Sequence, residues 1–184
     1  MASPLKLNLG AGGGDQRLPD YINVDMAAGP NVDVVWDLRE RPWPWGDSSV
    51  EAIHSSHFIE HLAWDELRDL FIESYRVLIP GGKWEAAFPP LNWDLAFCAA
   101  HKARLSADWF RVCLVPSSEA WWMTKGGTWV GDLFEMTAMG YTVNEERWAA
   151  LQAIIPGLTA ELAGEHFWNV RTNVIVTLRS RKDT

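Results

Sequence analysis

Residues 5–25 constrain the fold of this chain more than any other stretch. They read LKLNLGAGGGDQRLPDYINVD. Leu5, Leu7 and Leu9 alternate with polar residues, which is the period of a half-buried strand. The strand runs directly into Gly10-Ala11-Gly12-Gly13-Gly14. Such a backbone turns tightly and lets a ligand come close. A second apolar run, Tyr21-Ile22-Asn23-Val24, ends on the lone acid Asp25. A strand, a glycine turn and a second strand with a terminal carboxylate is how a Rossmann-like sheet binds a nucleoside, the acid accepting the ribose hydroxyls.

The rest of the chain continues the pattern. Residues 32–36 predict a third short strand closed by Asp37, and residues 50–56 a fourth. The strand carboxyl ends of an open parallel sheet share one rim, so Asp25, Asp37 and the glycine loop should converge there. Leu67, Leu70, Phe71, Ser74 and Leu78 follow helical spacing over residues 64–78, and Pro80-Gly81-Gly82 stops that helix. Residues 83–88 predict a fifth strand. Helical patches are expected around residues 94–111 and 131–139, with Lys125-Gly126-Gly127 as a link. Residues 144–155 predict a further helix with Asn144 as its N-cap. Residues 159–167 and 172–178 predict a closing antiparallel strand pair. The fold class is therefore α/β: a mostly parallel, Rossmann-like sheet of about seven strands, helices on both faces, and an antiparallel pair near the C-terminus.

Composition narrows the class further. With 184 residues, 48% of them hydrophobic, the chain suits a single domain over residues 1–184. No apolar run reaches the roughly 18 residues of a membrane span, and residues 1–4 lack a secretory signal pattern, so the expectation is cytoplasmic. Cys98 and Cys113 stand far apart and are expected as reduced thiols. The net charge of -8 disfavours a nucleic-acid face. The basic Arg179-Ser180-Arg181-Lys182 reads as a solvated terminus. Six of the twelve tryptophans, Trp84, Trp93, Trp109, Trp121, Trp122 and Trp129, cluster after the fifth strand. That cluster marks residues 91–140 as an insertion that could form a substrate lid, with core packing an equal alternative for each ring.

Five segments carry a family resemblance: LNLGAGGG at residues 7–14, INVD at 22–25, WDL at 36–38, DSSVEAIHSSHFIEHL at 47–62 and YRVLIPGG at 75–82. In this order the chain resembles the class I S-adenosylmethionine-dependent methyltransferases of the small type 11-like kind. The resemblance implies that Gly10, Ala11 and Gly12 pass under the methionine part of S-adenosyl-L-methionine. It implies that Asp25, with Met26 beside it, holds the ribose, and that Asp37 and the Leu38 backbone meet the adenine. Ser56 and His57 would face the sulfonium. Asn8 stands where the family usually has an acid, and residues 15–20 leave room for barely one helical turn where the family has a helix.

The activity so implied is methyl transfer to an oxygen or nitrogen acceptor, most simply a small molecule, by in-line displacement, leaving S-adenosyl-L-homocysteine. Alignment and water exclusion are the protein's main tasks. His57 is the catalytic candidate, as a general base, against a structural hydrogen bond in the loop. Glu60 and His61 read as a bracing pair. His54, His57 and His61 lack a recognised ligand motif, so no metal is expected. An NAD-dependent oxidoreductase would need glycine where Asp15 stands, and a helix behind it. A non-catalytic cofactor-binding scaffold is the second reading. A homo-oligomer is compatible with all of these.

Overall fold

The computed structural model describes residues 4–12, 16–116 and 130–183. Gly13, Gly14, Asp15, the link at Lys125-Gly126-Gly127 and Trp121, Trp122 and Trp129 lie outside the described residues.

One seven-stranded sheet organises the chain. Its strands are β1 (Leu5–Leu9), β2 (Ile22–Asp25), β3 (Val34–Val35), β4 (Val50–Ser56), β5 (Leu78–Phe88), β6 (Phe134–Val143) and β7 (Arg171–Ser180). Their spatial order is β3-β2-β1-β4-β5-β7-β6. Pairings among β1 to β5 are parallel, and β7 runs antiparallel to both its neighbours. Sequence order reverses between β1 and β4. In open α/β sheets that reversal opens a crevice at the strands' carboxyl ends.

The core lies on one face. Leu7, Leu9, Val24, Ile53, Trp84, Phe88, Val174, Val176 and Leu178 are almost fully buried there. Helix α1 (Trp64–Val77) lays Leu67, Leu70, Phe71, Ser74 and Val77 on this core. The side chain of Glu66, three residues into the helix, accepts the Ala63 N–H at 2.7 Å, satisfying a donor at the helix start. The register aligns Asn23, Asn8, His54, Glu85 and Thr177 as a polar row on the opposite face. Among the residues of that face, Lys83, Glu85 and Arg179 are exposed.

The prolines of residues 41–45 are pinned to the last turn of α1. Glu73 Oε1 accepts the Trp43 N–H at 2.6 Å and is bridged to Arg76 NH2 at 2.6 Å. Arg76 also donates to the carbonyls of Trp43 and Trp45 and pairs with Asp47.

Three expectations are corrected. The strand expected at residues 159–167 is helix α5 (Ala160–His166), capped by Thr159, whose hydroxyl accepts the Leu162 N–H. Its alanines, glutamates and leucine are good helix formers. The helix expected at residues 131–139 survives only as α3 (Val130–Leu133); from Phe134 the chain is β6 and supplies the partner of β7. The patch at residues 94–111 is a short 3-10 turn, Asp94–Phe97, followed by α2 (Ala107–Cys113). Helix α2 is part of the core: Phe110 is fully buried and stacks on Phe88, with centroids 5.0 Å apart. Helix α4 (Glu145–Ile154) has the expected cap, Asn144 accepting the Arg147 N–H.

The basic tail is also not simply solvated. Lys182 Nζ donates to Ser48 Oγ and to the carbonyls of Arg76 and Leu78, fastening the tail to the end of α1. Both cysteines are free; Cys98 is exposed, and burial pushes the Cys113 thiol up to about 11. Among the described residues, no helix is long and apolar enough to cross a membrane.

Candidate functional site

A cavity of about 320 Å³ opens where the carboxyl ends of β1 to β4 meet. Gly10 follows β1. Asp25 and Met26 end β2. Trp36, Asp37, Leu38 and Arg39 follow β3. His57, Phe58, His61 and Leu62 follow β4. Gln16 and Lys102 complete the wall. Six of the residues expected from the sequence therefore come together here: Gly10, Asp25, Met26, Asp37, Leu38 and His57.

Gly10 and Ala11 N–H both bond to the Val24 carbonyl, which folds the loop over the end of β2. Gly10 has φ +75, and a Cβ there would stand 2.7 Å from Phe58. Asp25 is held from both sides. Oδ2 accepts the Gly12 N–H at 3.0 Å, and Oδ1 accepts the Ala27 N–H at 2.9 Å. Each oxygen keeps a second lone pair for an incoming hydroxyl. Gly12 is required for this approach, because a Cβ would meet the carboxylate at 2.8 Å.

Asp37 carries a fork from Arg39, with Nε at 2.9 Å from Oδ1 and NH2 at 2.6 Å from Oδ2. The guanidinium holds its carboxyl below the usual range, so it stays an acceptor. His57 sits at φ 51, and its N–H bonds to the Ala87 carbonyl at 2.9 Å. Its Nδ1 lies 3.3 Å from Oε1 of Glu60, which is buried. That carboxylate raises the His57 pKa, partly against burial.

Four expected residues do not line the cavity. Asn8 is buried, and its amide is spent on the Gln16 carbonyl, Asn23 Oδ1 and His54 Nδ1. Ala11 is buried, while Gly12 serves through its N–H to Asp25. Ser56 ends β4 and does not line the cavity. Trp36, Arg39 and Phe58 were missed although they directly flank residues that were named; His61, expected as half of a bracing pair, and Leu62 also line the cavity. Gln16 and Lys102 carry no local signal. Of the clustered tryptophans described, Trp84 is fully buried with Nε1 donating to Ser55, and Trp109 packs on Trp64 and Phe71.

A model of the "Methyltransferase domain" family matches residues 21–84. Solved structures share the fold at low identity. A SAM-dependent methyltransferase of Archaeoglobus fulgidus is 16% identical with a TM-score of 0.63, over 96% of this chain and 86% of that one. The N-methyltransferase NodS of Bradyrhizobium japonicum, in complex with S-adenosyl-L-homocysteine, is 9% identical with a TM-score of 0.55, over 97% and 79%. The geranyl diphosphate C-methyltransferase of Streptomyces coelicolor, also holding S-adenosyl-L-homocysteine, is 12% identical with a TM-score of 0.56, over 98% and 73%. No curated protein matches by sequence. Residues 21–84 thus match a methyltransferase-domain model, and the chain shares the fold of solved SAM-dependent methyltransferases.

Proposed function

We propose that the chain transfers a methyl group to an oxygen or nitrogen atom of a small molecule, with the cofactor held in the cavity at the ends of β1 to β4. The carrying observation is the meeting of Gly10, Asp25, Asp37 and His57 around one space. The residues suit the group. Asp25 is oriented by two main-chain N–H donors with acceptor capacity left for a ribose. Gly10 keeps its side free of a Cβ. Asp37 is an ionised acceptor for an amino group, with Leu38 beside it.

The cofactor supplies a methyl carbon already activated by a sulfonium charge. The chain's own work is alignment and exclusion of water. Trp36, Leu38, Phe58 and Leu62 supply the apolar part of the wall. His57 takes the acceptor's proton where one must leave, and Glu60 stabilises the imidazolium so formed. The single-domain reading, a cytoplasmic setting and an acceptor site built from residues 91–140 complete the proposal. A second cavity of about 400 Å³ draws half of its lining, Asn92, Asp108 and Arg111 among it, from that stretch and the rest mainly from residues 164–174.

Asp25→Ala should weaken S-adenosyl-L-homocysteine binding by about 1–3 kcal/mol, the cost of leaving buried hydrogen-bonding groups unpaired. Titration calorimetry reads this directly, and unchanged affinity would remove Asp25 from the site. His57→Ala should lower kcat by about 10²-fold or more, the general-base range, with little change in cofactor KM. Equal turnover would leave His57 a purely structural residue. A screen of small hydroxylated and amine-bearing acceptors with radiolabelled donor tests the acceptor class.

A further inference from the structure

At the cavity wall stands a group of side chains with buried polar atoms left without hydrogen-bond partners. Glu60 is 1% exposed, and neither of its carboxylate oxygens receives a well-aligned hydrogen bond. A buried carboxylate left in this way is costly, so a compensating cation is expected. His57 Nδ1, at 3.3 Å from Oε1, can serve only one of the two oxygens. His101 Nδ1 is also buried without a partner. Ligand atoms of Glu60, His61 and His101 all lie within 4.8 Å of one another.

The fold builds this meeting deliberately. Glu60 and His61 belong to the 3-10 turn Ile59–His61 that follows β4. Residues 101–103 come from the loop after β5, forty residues on in sequence. The N–H groups of Lys102 and Ala103 both bond to the Glu60 carbonyl, at 2.9 and 3.0 Å, which docks the loop on the turn. The two imidazoles meet edge to face, with centroids 4.8 Å apart. His61 Nδ1 lies 3.2 Å from the Ala100 carbonyl. A ring that donates Nδ1–H to a main-chain carbonyl offers Nε2 as ligand, the usual arrangement behind a metal-bound histidine.

We propose that Glu60, His61 and His101 bind a zinc-class transition-metal dication. Two imidazole nitrogens and one carboxylate oxygen are the donors such ions take, whereas magnesium and calcium prefer oxygen alone. Small rotations of the two rings close the spacing onto an ion with bonds of about 2.0–2.2 Å. Three protein ligands leave a coordination position open, and His61 and His57 both line the cavity. The ion therefore sits at the cavity wall, where it can take a further ligand.

The test uses the whole chain without a histidine tag, stripped with EDTA and titrated with Co²⁺. A visible ligand-field absorption should grow to saturation at a single equivalent and be displaced by Zn²⁺. Glu60→Gln, His61→Gln and His101→Gln should each weaken Co²⁺ binding by at least the roughly 10–100-fold that losing even an outer partner costs. His166→Gln, an exposed histidine elsewhere, should leave it unchanged. Zn²⁺ should raise the melting temperature of the wild type and not of Glu60→Gln. No saturable absorption, or an absorption and a zinc-induced melting shift that persist in the Glu60 and His101 variants, would overturn the site. Neither readout involves methyl transfer, so the result stands apart from the cofactor reading.

Discussion

Gly10→Ala should destabilise the protein by about 2–5 kcal/mol and abolish cofactor binding. Two costs combine. A left-handed backbone costs a residue with a Cβ roughly 1–2 kcal/mol, and Gly10 has φ +75. The added methyl would also stand 2.7–2.8 Å from three atoms of Phe58, and overpacking of this kind typically costs about 1–3 kcal/mol. Phe58 cannot easily retreat, because it opens the turn that carries Ile59, fully buried in the core. Relief would have to come from the loop itself, whose Gly10 and Ala11 N–H groups are tied to the Val24 carbonyl. Urea denaturation gives the first quantity and calorimetry with S-adenosyl-L-homocysteine the second. A variant with wild-type midpoint and affinity would show that the loop is free to adopt another path.

Glu73→Ala should cost about 1–3 kcal/mol, the range for leaving a buried hydrogen-bonding group unpaired. The loss reaches beyond the ion pair with Arg76. Glu73 Oε1 accepts the Trp43 N–H as well as Arg76, and Arg76 in turn holds the carbonyls of Trp43 and Trp45. Trp43 is 2% exposed, so its N–H would be left without an acceptor, while Arg76 would keep Asp47 and the two carbonyls. Burial pushes the Glu73 carboxyl up, but hydrogen bonds from Arg76 and Trp43 outweigh it and leave the pKa below its ordinary value. A lowered folded value means that this stabilisation is present above the unfolded carboxyl's pKa of roughly 4.3. It is lost as the pH falls through the lower folded value. The gap in urea midpoint between wild type and Glu73→Ala should therefore narrow on acidification, and a gap independent of pH would contradict the assignment.

What the chain reveals before folding follows the physics of each element. Strands β1, β2 and β4 and helix α1 were legible from their periodicity. Strand β5 was legible only over residues 83–88, because its start, residues 78–82, includes the Pro-Gly-Gly expected to stop the helix. Strand β6 was not. Phe134 and Met136 face the core, but the register shifts between Met136 and Ala138. Beyond that bulge, Met139 and Tyr141 carry the inward phase, and a second shift follows between Thr142 and Val143. The extra residue breaks the alternation and leaves a spacing that imitates a helix. Helix α5 was hidden in the opposite way. It is seven residues long, too short to show a period, and Gly164 interrupts it where a Cβ would meet the Arg171 side chain at 2.0 Å.

The candidate site divides along the same line. Gly10, Asp25, Asp37 and His57 each end or follow a strand, so knowing the strands was enough to gather them. Asn8 looked available because it sits one residue from the loop, yet strand register points it into the polar row with Asn23 and His54. Lys102 and His101 arrive through a loop docked by main-chain hydrogen bonds to Glu60, and no side-chain pattern announces such docking.

The position of β7 has a consequence for how the chain is made. Among the described residues strand β6 pairs with β7 alone, and β7 is translated only after α4 and α5. Until then the growing polypeptide presents Phe134–Val143 as an unpartnered strand, and the free edge of β5 waits beside it. Exposed edges of this kind recruit other chains, and incomplete folding intermediates are where aggregation begins. A ribosome that pauses between α4 and β7 would hold the nascent protein in its most adhesive state, and the helices α4 and α5 set how long that interval lasts.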